Sequence, residues 1–253
     1  MGRGTRNVYT QKPTSRYDGI ILQTQKRGQE LVLSVFTRQE GLLRVFVPKR
    51  CRGKQGFGAL MALSSITFDA VQTSSLLVLR EYECRSNPGV MQLTWDRYIY
   101  SQIFIEIAQH SFPYHEADEQ AYELLVIYSQ VLLCKNPRIV TIIAGWQLLA
   151  LAGFYPDTAH VRLFAAGMDG KRPIYYLSDG EEPLKEPLPE VQVPPDMRRL
   201  WQTLLTYAWG QTQTLHFSVK GLAFWEDVLY SYTEQCSDKK MKTIDLLEKY
   251  IDK

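Results

Sequence analysis

Five short runs rich in β-branched and aromatic residues crowd the first 85 positions, and they constrain the fold more than any other feature of the chain. Arg16–Gln25 centres on Ile20, Ile21 and Leu22. Gly28-Gln29 marks a turn into Glu30–Thr37, where Leu31, Leu33 and Val35 alternate onto one face. Glu40-Gly41 turns the chain again into Leu42–Val47. Ile66–Val71 and Leu76–Tyr82 follow, parted by Thr73-Ser74-Ser75. Strands this short and this β-prone suggest a small closed barrel rather than an open sheet. A five-stranded Greek-key barrel is the OB-fold, whose open face and loops commonly hold oligonucleotides. Residues 1–85 are therefore expected to form an OB-fold nucleic-acid-binding domain.

After Pro88-Gly89 the period changes. Tyr98, Ile99, Gln102, Ile103, Ile105 and Glu106 fall on a helical repeat within Trp95–Ser111. Glu116–Cys134 reads as a second helix, opened by acidic residues that suit its N-terminal dipole. Ile139–Ala152 is a third, ended by Gly153 and followed by Pro156. A polar stretch, about 157–195, interrupts the helices. Within it His160–Phe164 and Ile174–Leu177 suggest a hairpin around Asp169-Gly170, and residues 179–195 hold five of the twelve prolines. Asp196–Trp209, Lys220–Cys236 and Asp238–Tyr250 complete a helical domain over 86–253. The fold class expected is α+β: barrel first, α-bundle second.

Charge sharpens this division. The formal net charge of +2 conceals an asymmetry, because residues 1–75 hold 12 Lys+Arg against 4 Asp+Glu, while the remainder is acidic. One basic half points to a polyanionic partner. The 45% hydrophobic content is ample for a core and argues against disorder. Cys51, Cys84, Cys134 and Cys236 are widely spaced with no CxxC pair, so reduced thiols fit better than a disulfide framework or a zinc ribbon. The polar start and the shortness of the apolar run Ile139–Phe154 fit a cytoplasmic protein with no membrane partner.

The densest functional signal is Pro48–Gly58. Lys49, Arg50, Arg52 and Lys54 place four cations in six residues, followed by Gly53, Gly56 and Gly58. Cations on a glycine-rich loop can track a phosphate backbone without reading sequence, and Phe57 with the nearby Phe46 could stack on bases. A solvated loop beside a core phenylalanine is the plainer alternative. Lys26, Arg27, Arg38 and Arg44 on neighbouring strands and turns weigh against it. Catalytic patterns are weak: His110, His115, His160 and His216 form no HExxH, and no P-loop, GxGxxG or GxSxG occurs. No enzyme activity, metal or cofactor is expected. The aromatic residues of the last third, Trp201, Trp209, Phe224 and Trp225 among them, are expected mostly in the core.

The run LVLSVFTRQEGLLRVFVPKR, Leu31 to Arg50, continued by Lys54 and Phe57-Gly58-Ala59-Leu60, resembles the RecO family of recombination mediators. Tyr98–Glu106 is similar to that family's first bundle helix, and LLALAGFYP (Leu148–Pro156) to its Leu-Leu-x-x-x-Gly-x-x-Pro. Two departures stand out. The paired cysteines that hold zinc in many members are missing from Asp157–Gly180, and Pro48 stands where a small residue is usual. The resemblance implies DNA repair without catalysis: binding of single- and double-stranded DNA, strand annealing, and RecA loading onto DNA coated by single-stranded-DNA-binding protein. It implies RecR and the C-terminal tail of that coating protein as partners, and a bacterial, nucleoid-associated setting. An acidic-hydrophobic tail wants an apolar pocket with cations at its rim. Arg198, Arg199 and Lys220 beside Trp201 and Phe224 are the candidates. An RNA-binding OB-fold protein with a helical docking domain is the alternative.

Overall fold

Alternation along the first strands wraps them around their own side chains. The computed structural model describes residues 13–28, 30–51, 60–74, 76–85, 93–180, 188–210 and 218–251. Its strands β1 (Thr14–Arg27), β2 (Glu30–Thr37), β3 (Gly41–Val47), β4 (Ser65–Gln72) and β5 (Leu77–Arg85) form a closed barrel in the order β1-β2-β3-β5-β4. Only the β3–β5 pairing is parallel. Leu31, Leu33, Val35, Leu43, Val45, Val47, Ile66, Phe68 and Leu79 fill the interior, as period-2 strands require. β1 is long enough to pair with β2 along its second half and β4 along its first, and a bulge between Ile21 and Gln23 lies in it. An extra residue there bends the strand. Alternation places Ile21 in the barrel core, while Ile20 and Leu22 face the helices.

The helical part contains α1 (Trp95–Ser111), α2 (Glu119–Val131), α3 (Pro137–Leu151), α4 (Pro195–Leu205), α5 (Val219–Ser237) and α6 (Lys242–Ile251). Side-chain caps fix three starts. Asp118 accepts from Ala121 N–H, Asn136 from Ile139 N–H ahead of Pro137, and Ser218 from Gly221 N–H. The cap at Asp118 explains why α2 begins at Glu119 and not at Glu116. Asp238 adopts a left-handed conformation (φ 54°) that ends α5, so α6 begins later than Asp238. α3 lies at the centre. Its Gly145 admits Leu229 and Ile107, which would stand 2.8 and 3.1 Å from a Cβ there. Trp146, Trp201 and Trp225 pack together, with Trp201 stacked on Trp225 at 4.5 Å.

The expected hairpin exists, as β6 (Arg162–Asp169) and β7 (Arg172–Ser178), and α5 secures it. Ser231 and Gln235, one helical turn apart, reach the β7 backbone. Ser231 Oγ accepts from Tyr175 N–H (3.1 Å), and Gln235 accepts from Leu177 N–H (3.0 Å) and donates to Leu177 C=O (2.8 Å). Buried Arg172 donates to Glu234 (3.2 Å). On the other edge, backbone bonds Ala165–Pro189 and Val191–Leu163 add part of the proline-rich stretch as a third row. Helix side chains and Arg172 thus hold a hairpin that has no cysteine. Replacing Ser231 by Ala and Gln235 by Leu together removes bonds worth about 1 kcal/mol each. Amide exchange at Tyr175 and Leu177 should then rise roughly tenfold or more, read by exchange mass spectrometry.

The barrel's outer side and the helices share a second core, distinct from the barrel interior. Ile20, Leu22, Phe36, Leu42 and Leu63 on the barrel's outer side belong to the same buried cluster as α1, α2 and α3. Phe36 meets Phe112 edge-on at 5.3 Å. Residues after α1 then run along β3: Tyr114 bridges to Leu42, and His115 N–H donates to Leu42 C=O (3.1 Å). Gly41, at φ 64°, lies against the Glu116 backbone with no room for a side chain. The barrel is docked, not merely tethered.

Candidate nucleic-acid interface

Register brings two of the expected cations to the same end of the barrel. Lys26 pairs with Leu31 and Leu31 with Val47, so the β1–β2 turn and the exit of β3 are neighbours. Arg27 and Gly28 complete that turn, with Gly28 at φ 60° as a tight reversal requires. Beyond β3 the chain forms a short 3₁₀ turn, Lys49–Cys51, which carries Lys49 and Arg50 to this end. Lys26 and Lys49 are exposed.

Arg52, Lys54 and Phe57 lie outside the described residues, but the points where their segment leaves and rejoins are fixed. Cys51 is buried, and its thiol donates to Arg80 C=O at 3.2 Å. At the other side, Leu60 is buried and its carbonyl accepts from Thr24 Oγ1 (2.6 Å). Thr24 sits two residues before Lys26 on β1. The basic segment therefore starts and ends on the part of the barrel that also carries Lys26 and Lys49.

Arg44 occupies the middle of the outward β2–β3 face, opposite Ser34, with Phe46 paired to Val32 one step nearer the cationic end. It is exposed, and its guanidinium lies over the Tyr114 ring at 5.0 Å while Nε donates to Tyr114 Oη (3.0 Å). Arg38 is separated from the others. It sits in the β2–β3 turn at the opposite end of β3, bonded to Glu119 at 2.5 Å, 3.9 Å from Glu123, and over the Tyr122 ring. These contacts tie the barrel to α2.

The expected tail pocket splits in the same way. Trp201 is 2% exposed and stacked on Trp225, so its ring belongs to the core. Arg198 donates to the carbonyls of Thr158 and Val161 (2.7 and 3.2 Å), tying α4 to the chain before β6. Arg199 and Lys220 are exposed, and Phe224 is half-buried between Tyr175 and Trp225. α4 and α5 do converge there, at Met197 and Gly221.

Two features escaped the sequence reading. Tyr114 is remote from the barrel in sequence, and nothing in its local pattern signals a place on β3. A cleft of about 590 Å³ lined by Arg16, Asp69, Arg80, Glu81 and Tyr82 forms between β1, β4 and β5. Its signs are mixed, unlike the basic end. Burial raises the thiols of Cys84 and Cys236 to about 11, so both stay protonated near neutral pH and are poor nucleophiles. Among the described residues no cluster of His, Cys, Asp or Glu could hold a metal ion, and no helix is long and apolar enough to cross a membrane.

The architecture is a closed five-stranded barrel of OB type followed by a helical domain. Residues 92–162, from just before α1 to the first residue of β6, match the family model described as Recombination protein O C terminal. Over α1, α2 and α3 the chain is thus similar to the C-terminal domain of that family. No curated protein matches the chain. Among solved structures, the asparaginyl-tRNA synthetase from Pyrococcus horikoshii is similar at 13% identity with a TM-score of 0.28, over 48% of this chain and 32% of that one. The same synthetase complexed with asparaginyl-adenylate gives 13% and 0.26. The chain spans about a third of the length of these synthetases.

Proposed function

We propose that this protein is a non-enzymatic mediator of recombinational DNA repair, which grips single- and double-stranded DNA at the cationic end of its barrel. The observation that carries this reading is the strand register that sets Lys26 beside the exit of β3 and hence near Lys49. With Arg27, Arg50, Arg52, Lys54 and Phe57 in adjoining segments, cations would hold phosphates while aromatic rings meet bases. Two backbones held on one basic surface repel each other less, which favours annealing. Loading of RecA onto DNA coated by single-stranded-DNA-binding protein, with RecR as a partner, is what the resemblance to the family implies. For the coating protein's C-terminal tail, Arg199, Lys220 and Phe224 remain at the surface, whereas Arg198 and Trp201 are engaged internally.

The test is charge reversal. Changing Lys49, Arg50, Arg52 and Lys54 together to Glu should lower affinity for an oligothymidine on the order of 100-fold. The slope of log affinity against log salt should also flatten by about 3, since each phosphate contact contributes about 0.7 on single strands. Annealing should fall in parallel. Fluorescence anisotropy across a salt series measures the first two. Unchanged affinity and slope would remove the basic end as the site. Stronger binding to RNA than to DNA in competition would favour a role in RNA handling.

A further inference from the structure

We infer that Tyr114, contributed from outside the barrel, is a base-stacking residue that extends the single-strand track across the domain junction. The inference rests on the DNA-binding reading above and adds to it a residue and a selectivity. Three observations support it. The segment after α1 is zipped onto β3 by the Leu42–Tyr114 bridge and the His115–Leu42 bond, so Tyr114 has a fixed place on the outer face. That face is shared with Arg44, whose side chain lies on the tyrosine ring, and with Phe46 two residues further along β3. Tyr114 is 42% exposed although it is large and aromatic.

These side chains form a row: Phe46, Arg44, Tyr114, running from the cationic end toward the helices. Successive outward positions on a strand are about 7 Å apart. A single strand held by phosphate contacts at Lys26 and Lys49 and led along β3 would meet a ring, a guanidinium and a second ring. Tyr114 also orders Arg44, since the Nε–Oη bond and the stacked guanidinium hold that cation on the track before DNA arrives. Bases in a duplex have no free face to offer a protein ring. Tyr114 should therefore favour single-stranded over double-stranded DNA, while the basic end serves both.

The experiment compares three forms of the full chain, wild type, Tyr114→Leu and Tyr114→Phe, by anisotropy with an oligothymidine and with a duplex of mixed sequence. Removing one stacking ring should weaken oligothymidine binding about tenfold. Duplex affinity should stay within about twofold, and Tyr114→Phe, which keeps the ring and its stack on Arg44 and loses only the Nε–Oη bond, should bind oligothymidine within about twofold of wild type. A 5-iodouracil oligonucleotide irradiated on the wild-type protein should crosslink to the peptide containing Tyr114, which tests the contact without any substitution. Equal losses for both DNA forms, or no loss and no crosslink, would overturn the inference. In that case the charge-reversed variant separates the two claims. If it loses binding, the basic end stands and only Tyr114's role fails; if it binds normally, the underlying DNA-binding reading fails as well.

Discussion

Replacing Gly41 with alanine should destabilise the protein by about 3 kcal/mol or more and loosen the barrel from the helices. Two costs add. Gly41 sits at φ 64°, where a Cβ costs about 1–2 kcal/mol even in open space. The new carbon would also overlap the Glu116 carbonyl oxygen and lie 2.6 Å from its carbon. That neighbour is backbone, held by the junction itself, and it cannot turn aside like a flexible side chain. Relief requires the 114–117 segment to move away, which breaks the His115–Leu42 bond at about 1 kcal/mol and begins to expose Phe36, Leu42 and Phe112. Gly28→Ala is the control. It has nearly the same backbone conformation (φ 60°), but nothing lies within 4 Å of a Cβ there, so only the conformational cost applies. Urea unfolding should place Gly41→Ala well below Gly28→Ala and broaden its transition as the two parts uncouple. Equal losses in the two variants would mean that the close approach at Glu116 contributes nothing.

The same junction shows how far sequence patterns reach. The barrel was legible because period-2 alternation is local: Leu31, Leu33 and Val35 declare an inward face without reference to the rest of the chain. α1 was legible for the analogous reason at helical period. The buried outward residues of the barrel were not. Ile20, Leu22, Phe36 and Leu42 read as additional strand hydrophobics, because only the docked helices give them a second core. Among the candidate site residues, charge type and turn position led to Lys26 and Lys49 on one end of the barrel. Arg38 has the same signature, a cation in a β-turn, but its partners Glu119, Glu123 and Tyr122 are some 80 residues away. Arg198 and Trp201 illustrate the same limit: the carbonyls and the neighbouring tryptophans that claim them come from other segments. Local sequence reports what a side chain can do; its partners decide which of those things it does.

Arg138→Ala should be the second large loss, about 3 kcal/mol, and it should exceed that of Glu226→Gln. Glu226 is buried in α5 at 5% exposure, and Arg138, Tyr230 and Tyr100 all donate to its carboxylate. Arg138, in the first turn of α3, gives Nε and Nη2 to Oε2 at 2.7 and 2.5 Å, and Tyr230 Oη donates to Oε1 at 2.9 Å. Removing the guanidinium leaves a desolvated carboxylate with only the neutral donors Tyr230 and Tyr100, and breaking a buried pair from one side costs about 3–5 kcal/mol. The lower end applies because Arg138 is itself a third exposed, so water reaches the site from its side. That exposure also creates the asymmetry. When Glu226 becomes Gln, the orphaned arginine can turn to solvent and the amide can still accept from Tyr230. The double variant Arg138→Ala with Glu226→Gln should recover much of the loss from Arg138→Ala, because no uncompensated charge stays buried. Urea titrations of the four forms close the cycle. Equal single losses that simply add in the double variant would show that the two side chains act independently, and α3 would then be anchored to α5 by apolar packing alone.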